Sequence, residues 1–235
     1  VILKKIPHKS YFRVISFALY GGADVFAKNI TIWENEVSFD LYCGSYCINI
    51  VMPARGKFNV LNALAAAACA FGFGFGLDEI KDGIETFTPP SMRMETLCAR
   101  NGVTLINDAY NANPSSVKES VQAVCEAYSG SEINLVLGDM LELGEKSQDY
   151  HFEIGEYIND KKINGVYLLG DMSMYIKEAL TKKNVFHAYK TQDLLEKLYA
   201  APVNKKPVFL FKGSRGMKLD EVCVKYYNYI EKGKK

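Results

Sequence analysis

The chain has 235 residues, 49% of them hydrophobic and 23% charged, and a formal net charge of +1. That balance excludes a disordered or fibrous protein and leaves no excess positive charge for nucleic acid or an anionic membrane surface. The charge is also evenly spread: residues 1–89 carry eight basic and eight acidic side chains, the remainder twenty and nineteen.

The first region, residues 11–52, reads as an antiparallel meander. Its expected strands are Tyr11–Leu19, Asn29–Trp33, Glu36–Cys43 and Tyr46–Met52, punctuated by Gly21-Gly22, Glu34-Asn35 and Gly44-Ser45. Trp33 belongs to the core or rim of this sheet and is given no chemistry. After a loop at residues 53–57, Phe58 to Ala68 has strong helix propensity. Asn59 and Asn62 are three apart and share a face of its first turn. A carboxamide offers donor and acceptor together, as the edge of adenine does, so the pair could address that base. The plainer alternative makes Asn59 the N-cap.

Phe71-Gly72-Phe73-Gly74-Phe75-Gly76 follows a helix, not a strand, and lacks the glycine spacing of a dinucleotide fingerprint, so it reads as helix termination. A helix capped by Asp78 and running to Thr86 leads to Thr88-Pro89-Pro90-Ser91, which sets a boundary between domains at 1–89 and 90–235.

Beyond it, apolar runs alternate with amphipathic stretches. A hairpin, Arg93–Ala99 with Val103–Ile106, is followed by helix Pro114–Tyr128, strand Ile133–Leu137, helix Ser147–Asn159 and strand Val166–Leu169. Helix Met172–Lys182, strand Val185–Ala188, helix Gln192–Tyr199, strand Val208–Phe211 and helix Met217–Glu231 complete the chain. This alternation predicts an α/β fold with a mostly parallel sheet covered by helices on both faces.

Six cysteines (Cys43, Cys47, Cys69, Cys98, Cys125 and Cys223) lack the spacing of zinc or redox pairs and read as reduced, buried thiols of a cytoplasmic protein. His8, His151 and His187 show no metal-ligand spacing, and His151 is expected to pack or cap within its helix. No signal peptide is visible at the start. Phe58–Leu77 is uncharged over the length of a membrane span, but alanine and glycine dominate it and two asparagines sit at one end, so a buried helix is expected and no membrane insertion. The chain opens on Val1 without methionine, as a fragment would.

The stretch Asn107-Asp108-Ala109-Tyr110-Asn111-Ala112-Asn113-Pro114 brings an acid, a phenol and carboxamides to the end of a strand, with Asn113 as N-cap and Pro114 in the first helical position. Ligands gather at such strand ends in open α/β sheets, although Asp and Asn also fill turns for local reasons. Gly138 to Ser147 has five residues, not four, between its glycines, and Glu145 precedes its lysine, so it is no P-loop. Lys212-Gly213-Ser214-Arg215-Gly216 combines flexible backbone with two cations and suits a phosphate or carboxylate. Arg93, beside the proline boundary, could meet a ligand phosphate at a hinge.

Four segments in order, Gly56–Ala67, Pro90–Glu95, Asn107–Pro114 and Leu137–Gly144, with Lys212–Gly216 as a fifth, resemble the Mur ligases over essentially the whole chain. The resemblance implies an incomplete central ATPase domain, a β-rich segment plus helices over residues 1–89, followed by a Rossmann-like C-terminal domain over 90–235. It implies ATP-dependent amide formation through an acyl-phosphate, with ATP and Mg2+ in the full-length enzyme and the P-loop and most magnesium ligands outside this chain. The wording of Tyr110–Pro114 and Gly138-Asp139-Met140 is nearest to members that join D-alanyl-D-alanine to UDP-N-acetylmuramoyl-tripeptide.

By the same resemblance Asn59 and Asn62 address adenine, Asp108 the ribose and Arg93 the phosphates, with Tyr110, Asn111 and Asn113 lining the nucleotide site. Asp139, Met140, Lys212, Ser214 and Arg215 face the incoming amine or the acyl-phosphate. Phe58 stands where the family usually has histidine, which removes any polar role there. The expected state is a monomer without nucleic acid, inactive alone and open to artificial association through uncovered sheet edges. The alternatives are another Mur ligase, a folylpolyglutamate synthetase or a non-catalytic nucleotide-binding module; a redox dinucleotide enzyme is disfavoured by the lack of a glycine fingerprint.

Overall fold

The computed structural model describes residues 14–33, 36–54, 56–88, 90–181, 184–203 and 205–233. It divides into two compact units, Val1–Phe87 and Thr88–Lys235. Tyr11–Arg13, the Glu34-Asn35 turn, Pro89 and Lys182 lie outside the described residues.

The first unit holds β1 (Phe17–Ala18), β2 (Val25–Ile32), β3 (Val37–Cys43) and β4 (Tyr46–Met52), side by side in that order. In β3, Val37, Phe39, Leu41 and Cys43 are fully buried and alternate with half-buried Ser38, Asp40 and Tyr42. That two-residue period is the mark of a sheet with one covered face. The cover is α1 (Lys57–Gly72), which lays Val60, Ala63, Leu64, Ala67 and Ala68 against the sheet, helped by Ile80 and Ile84 of α2 (Leu77–Glu85).

The expected meander holds for β2, β3 and β4, which are antiparallel, but β1 is a two-residue strand parallel to β2. The second strand starts at Val25, not Asn29. Asn29 has φ 52°, and the register shifts between Lys28 and Thr31, so it marks an irregularity inside the strand. Gly76, not Asp78, caps α2: Glu79 reaches back to accept the Gly76 amide at 2.8 Å, and Asp78 lies in the first turn. Among the described residues no helix is long and apolar enough to cross a membrane.

The second unit carries β5 (Glu95–Cys98), β6 (Thr104–Asn107), β7 (Ile133–Gly138), β8 (Gly165–Leu169), β9 (Asn184–Ala188) and β10 (Val208–Lys212). Their spatial order is β5-β6-β10-β7-β8-β9, and all run parallel except β5, which is antiparallel to β6. The alternation of strand and helix thus gives the mostly parallel α/β sheet expected. Along β10 all five residues are buried, as the central strand of a sheet covered on both faces requires.

Alternate residues of each strand feed opposite cores. Ile106, Leu135, Leu137, Leu168 and Leu210 pack with Val117, Val121 and Val124 of α3 (Pro114–Ala127), Ile154 and Ile158 of α4 (Ser147–Asn159) and Ile176 of α5 (Ser173–Ala179). Leu105, Val136, Phe209 and Phe211 pack with Leu194 and Leu198 of α6 (Thr191–Tyr199) and Val222 and Tyr226 of α7 (Leu219–Lys232). Helix α5 ends at Ala179, short of Lys182, and a 3-10 turn at Arg215–Met217 precedes α7. All six cysteines are free, but only Cys43 and Cys223 are buried; Cys47, Cys69 and Cys98 are exposed and Cys125 is partly covered. Burial pushes the Cys43 thiol up.

Helices α4 and α5 approach closely at Gly155. A Cβ there would lie 2.5 Å from the Ile176 carbonyl oxygen and 2.6 Å from the Ala179 Cβ. Alanine favours helix by about 1 kcal/mol over glycine, so steric overlap and propensity oppose each other at this position. We expect overlap to win, with Gly155→Ala losing about 1–3 kcal/mol in urea unfolding; equal or greater stability would show that the two helices separate freely.

Candidate functional site

The C-terminal ends of β6, β10 and β7 lie side by side, and the turns that leave them carry most of the candidate residues. Lys212, the last residue of β10, is held inside by the direction of its strand. Its Nζ lies 2.8 Å from Asp108 Oδ2 and donates to the Asp108 and Asn111 carbonyl oxygens at 3.3 and 2.8 Å. An ammonium has three N–H donors, and these three acceptors all come from the turn after β6. The pair is nearly dry, the two side chains being 4% and 12% exposed.

Asp108 also accepts the Met94 amide at Oδ1 (3.1 Å) and the Ser120 hydroxyl at Oδ2 (2.6 Å). A carboxylate has about four lone-pair directions, so with three donors engaged one remains for a further hydroxyl. Ser120 was not anticipated. The signal lay in the α3 pattern, where a serine stands among Val117, Val121 and Val124 on the buried side. Asn107 and Glu95 were missed as well: the buried Asn107 amide donates to Glu95 Oε2 at 3.2 Å, which also accepts the Met92 amide at 3.1 Å.

Ser214 fastens the third turn. Its hydroxyl accepts the Leu141 amide at 2.8 Å and donates to the Ala112 carbonyl at 3.5 Å, while its own amide donates to the Asp139 carbonyl at 3.0 Å. A Cβ on Gly213 would stand 3.1 Å from the Gly138 Cα, so the two backbones meet where side chains have no room.

Two of the expected substrate residues point inward. The Asp139 carboxylate accepts the amides of Met172 and Ser173 at 3.1 and 2.7 Å, capping the start of α5. Met140 is 1% exposed and packs in the core, while its amide donates to His151 Nε2 at 2.9 Å. His151 is fully buried, and its Nδ1 faces the Ser147 carbonyl at 2.6 Å, which fixes Nδ1–H as donor and Nε2 as acceptor. Burial lowers its pKa below the ordinary value. The histidine therefore packs within its helix, as expected, and also anchors the Gly138 loop.

Arg93, Tyr110, Asn111, Asn113 and Arg215 are exposed. Asn113 caps α3 by accepting the Ser116 amide at 2.9 Å, and the Asn111 side chain accepts the neighbouring Ala112 amide at 2.9 Å. The Arg93 and Arg215 guanidinium carbons lie 4.3 and 5.5 Å from the Tyr110 ring centroid. In the first unit, Gly56 caps α1, which places Asn59 in the first turn and removes the alternative that it is the cap. Asn62 Nδ2 donates to Asn59 Oδ1 at 3.3 Å, so the two carboxamides share a face. Among the described residues no group of three or more His, Cys, Asp or Glu could hold a metal ion.

Residues 92–215 match the family model described as the Mur ligase glutamate ligase domain, and residues 2–70 match the Mur ligase middle domain. The chain belongs to the Mur ligase family. It is 37% identical over 175 residues to the UDP-N-acetylmuramoyl-tripeptide–D-alanyl-D-alanine ligase of Bacillus subtilis (strain 168), covering 73% of this chain and 38% of that protein. The crystal structure of MurF from Acinetobacter baumannii superposes with a TM-score of 0.83 at 28% identity, over 92% of this chain and 47% of that one. MurF from Thermotoga maritima in complex with ADP shares the fold, with a TM-score of 0.78 at 23% identity over 93% of this chain and 49% of that one. The Mur ligase chain described here therefore spans half or less of the length of these relatives.

Two outcomes follow from the buried groups. Lys212→Met would leave the Asp108 carboxylate without its cation and is expected to cost about 3–5 kcal/mol; Lys212→Met combined with Asp108→Asn should cost less than the sum, measured as a double-mutant cycle in urea. The His151 pKa is depressed on folding, so the unfolded chain takes up the proton first as pH falls. Stability from this group is present above the free value of 6.5 and is lost as pH falls through the lower folded value. The urea midpoint should drop between about pH 7 and pH 5, and His151→Gln should flatten that drop; an unchanged slope would exclude His151 as its source.

Proposed function

We propose that this chain is part of a MurF-type ligase, which joins the amine of D-alanyl-D-alanine to the terminal carboxylate of a UDP-N-acetylmuramoyl-tripeptide in peptidoglycan precursor synthesis. In this reading residues 1–89 are the C-terminal part of the central ATP-binding domain and residues 90–235 the C-terminal domain. The reading rests on one observation above the rest: three strand-end turns are fastened by the buried Lys212 and Ser214, and they present the exposed Arg215, a tyrosine and carboxamides on a chain 37% identical to a ligase of that name.

The chemistry asks for little covalent work from the protein. ATP supplies a phosphoryl group that activates the carboxylate, and the amine then displaces phosphate as the amide bond forms and the amine loses its proton. What a protein contributes to such a reaction is positioning and compensation of negative charge. Asn59 and Asn62 are assigned to adenine, with their paired donors and acceptors on one helical face. Asp108 keeps one acceptor direction for a ribose hydroxyl, and Arg93 is free of carboxylate partners among the described residues and is assigned to phosphate. Tyr110, Asn111 and Asn113 line the nucleotide, and Ser214 and Arg215 face the acyl-phosphate or the amine. Lys212, Asp139 and Met140 act from within, by fixing the turns that carry the others. The roles assigned to this chain involve no magnesium ligand.

The enzyme is placed in the cytoplasm as a monomer, where ATP and a UDP-linked precursor are available. The 235 residues contain no Walker-type phosphate loop, and alone they are expected not to turn over ATP.

The test uses the full-length enzyme that contains this chain, with phosphate release followed by coupled assay. Release should require ATP, the UDP-linked tripeptide and D-alanyl-D-alanine together, and Arg93→Ala should lower kcat by about 100-fold, as loss of a charge-stabilising donor does. Preference for glutamate or a diamino acid over D-alanyl-D-alanine would overturn the assignment.

A further inference from the structure

Arg93, Tyr110 and Arg215 come from three separate segments: the approach to β5, the turn after β6 and the turn after β10. The two guanidinium carbons lie 4.3 and 5.5 Å from the centre of one phenol ring. Among the described residues neither arginine forms an ion pair, the arginine that does being Arg100, with Glu231. Two cations held on one ring repel each other, and that repulsion is fully relieved only when an anion joins them. The ring supplies part of the compensation, because the face of an aromatic ring carries negative charge and attracts a guanidinium.

The backbone is shaped to the same end. Met92 and Met94, on either side of Arg93, both sit in the left-handed region with φ of 59° and 54°. Such conformations are strained for residues other than glycine. They persist because the Met92 carbonyl accepts the Tyr110 amide at 3.2 Å, the Met92 amide donates to Glu95 and the Met94 amide to Asp108. The segment carrying Arg93 is therefore bonded to the segment carrying Tyr110 before any ligand arrives, and Arg215 is delivered one residue after the buried Ser214.

We propose that Arg93 and Arg215 form one polyphosphate clamp, with the Tyr110 ring as the positioning residue that holds the two guanidiniums toward the same anion. The inference deepens the ligase reading by moving Arg215 from the acyl-phosphate or amine to the polyphosphate, and by giving Tyr110 a task distinct from lining the nucleoside. The phenol hydroxyl has no part in it; the π-face does.

The test is binding of inorganic pyrophosphate to the 235-residue chain, read from the arginine side-chain Nε–H signals in a nitrogen-15 spectrum, with Arg93→Gln and Arg215→Gln providing the assignments. Both signals should move along one binding curve, each arginine substitution should weaken binding about tenfold, Tyr110→Phe should stay within about twofold of the parent, and Tyr110→Leu should lose about fivefold or more. The backbone amide spectrum of each variant checks that the fold is retained. Separate curves for the two arginines, or Tyr110→Leu binding as well as Tyr110→Phe, would overturn the clamp. So would movement of the Arg215 signal with D-alanyl-D-alanine and not with pyrophosphate. Pyrophosphate binding as described in a chain whose full-length enzyme shows no ligase activity would sink the ligase reading and leave the clamp standing.

Discussion

The second unit is built around a lysine withdrawn almost wholly from water. Lys212 ends a strand whose every residue is buried, and its side chain is 4% exposed against an aspartate side chain that is 12% exposed. Taking both charges out of water costs several kcal/mol, and their attraction recovers it only where geometry and additional hydrogen bonds are good. Here the ammonium's second and third partners are the backbone carbonyls of Asp108 and Asn111. The requirement therefore falls on the path of the turn as well as on its side chains: any movement of residues 108–111 would leave the ammonium short of an acceptor. A hydrophobic pair of similar volume could fill the same space, but it would not dictate where those two carbonyls point.

From that pair the constraint spreads outward through single hydrogen bonds. The other oxygen of Asp108 takes the Met94 amide, and Ser120 ties the carboxylate to α3. Ser214, two residues beyond Lys212, joins the turns after β6 and β7, and His151 fixes the latter from α4. Asp108, Ser120, Ser214 and His151 are all buried, and Asp108 and Ser214 bond directly to backbone groups of the segments that bear Arg93, Tyr110 and Asn111. The division of labour is physical: side chains that would be poor ligands because they are covered make the exposed ones precise, and the left-handed backbone beside Arg93 is tolerated because both ends of it are bonded.

The period of the sequence carried the architecture well. Ile133–Leu137 and Val208–Phe211 are short apolar runs between amphipathic stretches, and both became central parallel strands; Asn113-Pro114 opened a helix as cap and first residue. Period could not reveal Asn29 as an irregularity within β2, because asparagine is equally at home at a strand end and at a positive φ. Nor could it tell the direction of polar residues at strand ends. Asp139 and Lys212 read as ligand groups because charge is expected at the surface, yet one caps α5 and the other is entombed beneath the turn. The motif marks segments, not directions, and the alternation of side chains along a strand that is buried on both faces leaves no exposed side from which to count. Glu95 was invisible for a related reason, since its role depends on elements brought together only by the fold, and the helix pattern that marks Ser120 as buried does not name its partner.

The first unit handles its polar pair in another way. Asn59 and Asn62 sit in the first turn of α1, where the backbone is rigid, but their carboxamides are joined by a bond of 3.3 Å between two neutral groups. Such a bond contributes about 1 kcal/mol, and it fixes no backbone carbonyl as the Lys212 ammonium does. A base edge that offers both a donor and an acceptor could replace it at little cost, since each amide would exchange one partner for another. Groups that meet the charged part of a ligand gain from being fixed beforehand, because reorganising charge is expensive in a dry site. Groups that recognise a neutral base lose little by bonding to each other until it arrives. The strongly buried network at residues 108–112 and 212–214 and the light carboxamide contact at residues 59–62 differ in that same sense, which supports the roles proposed for them.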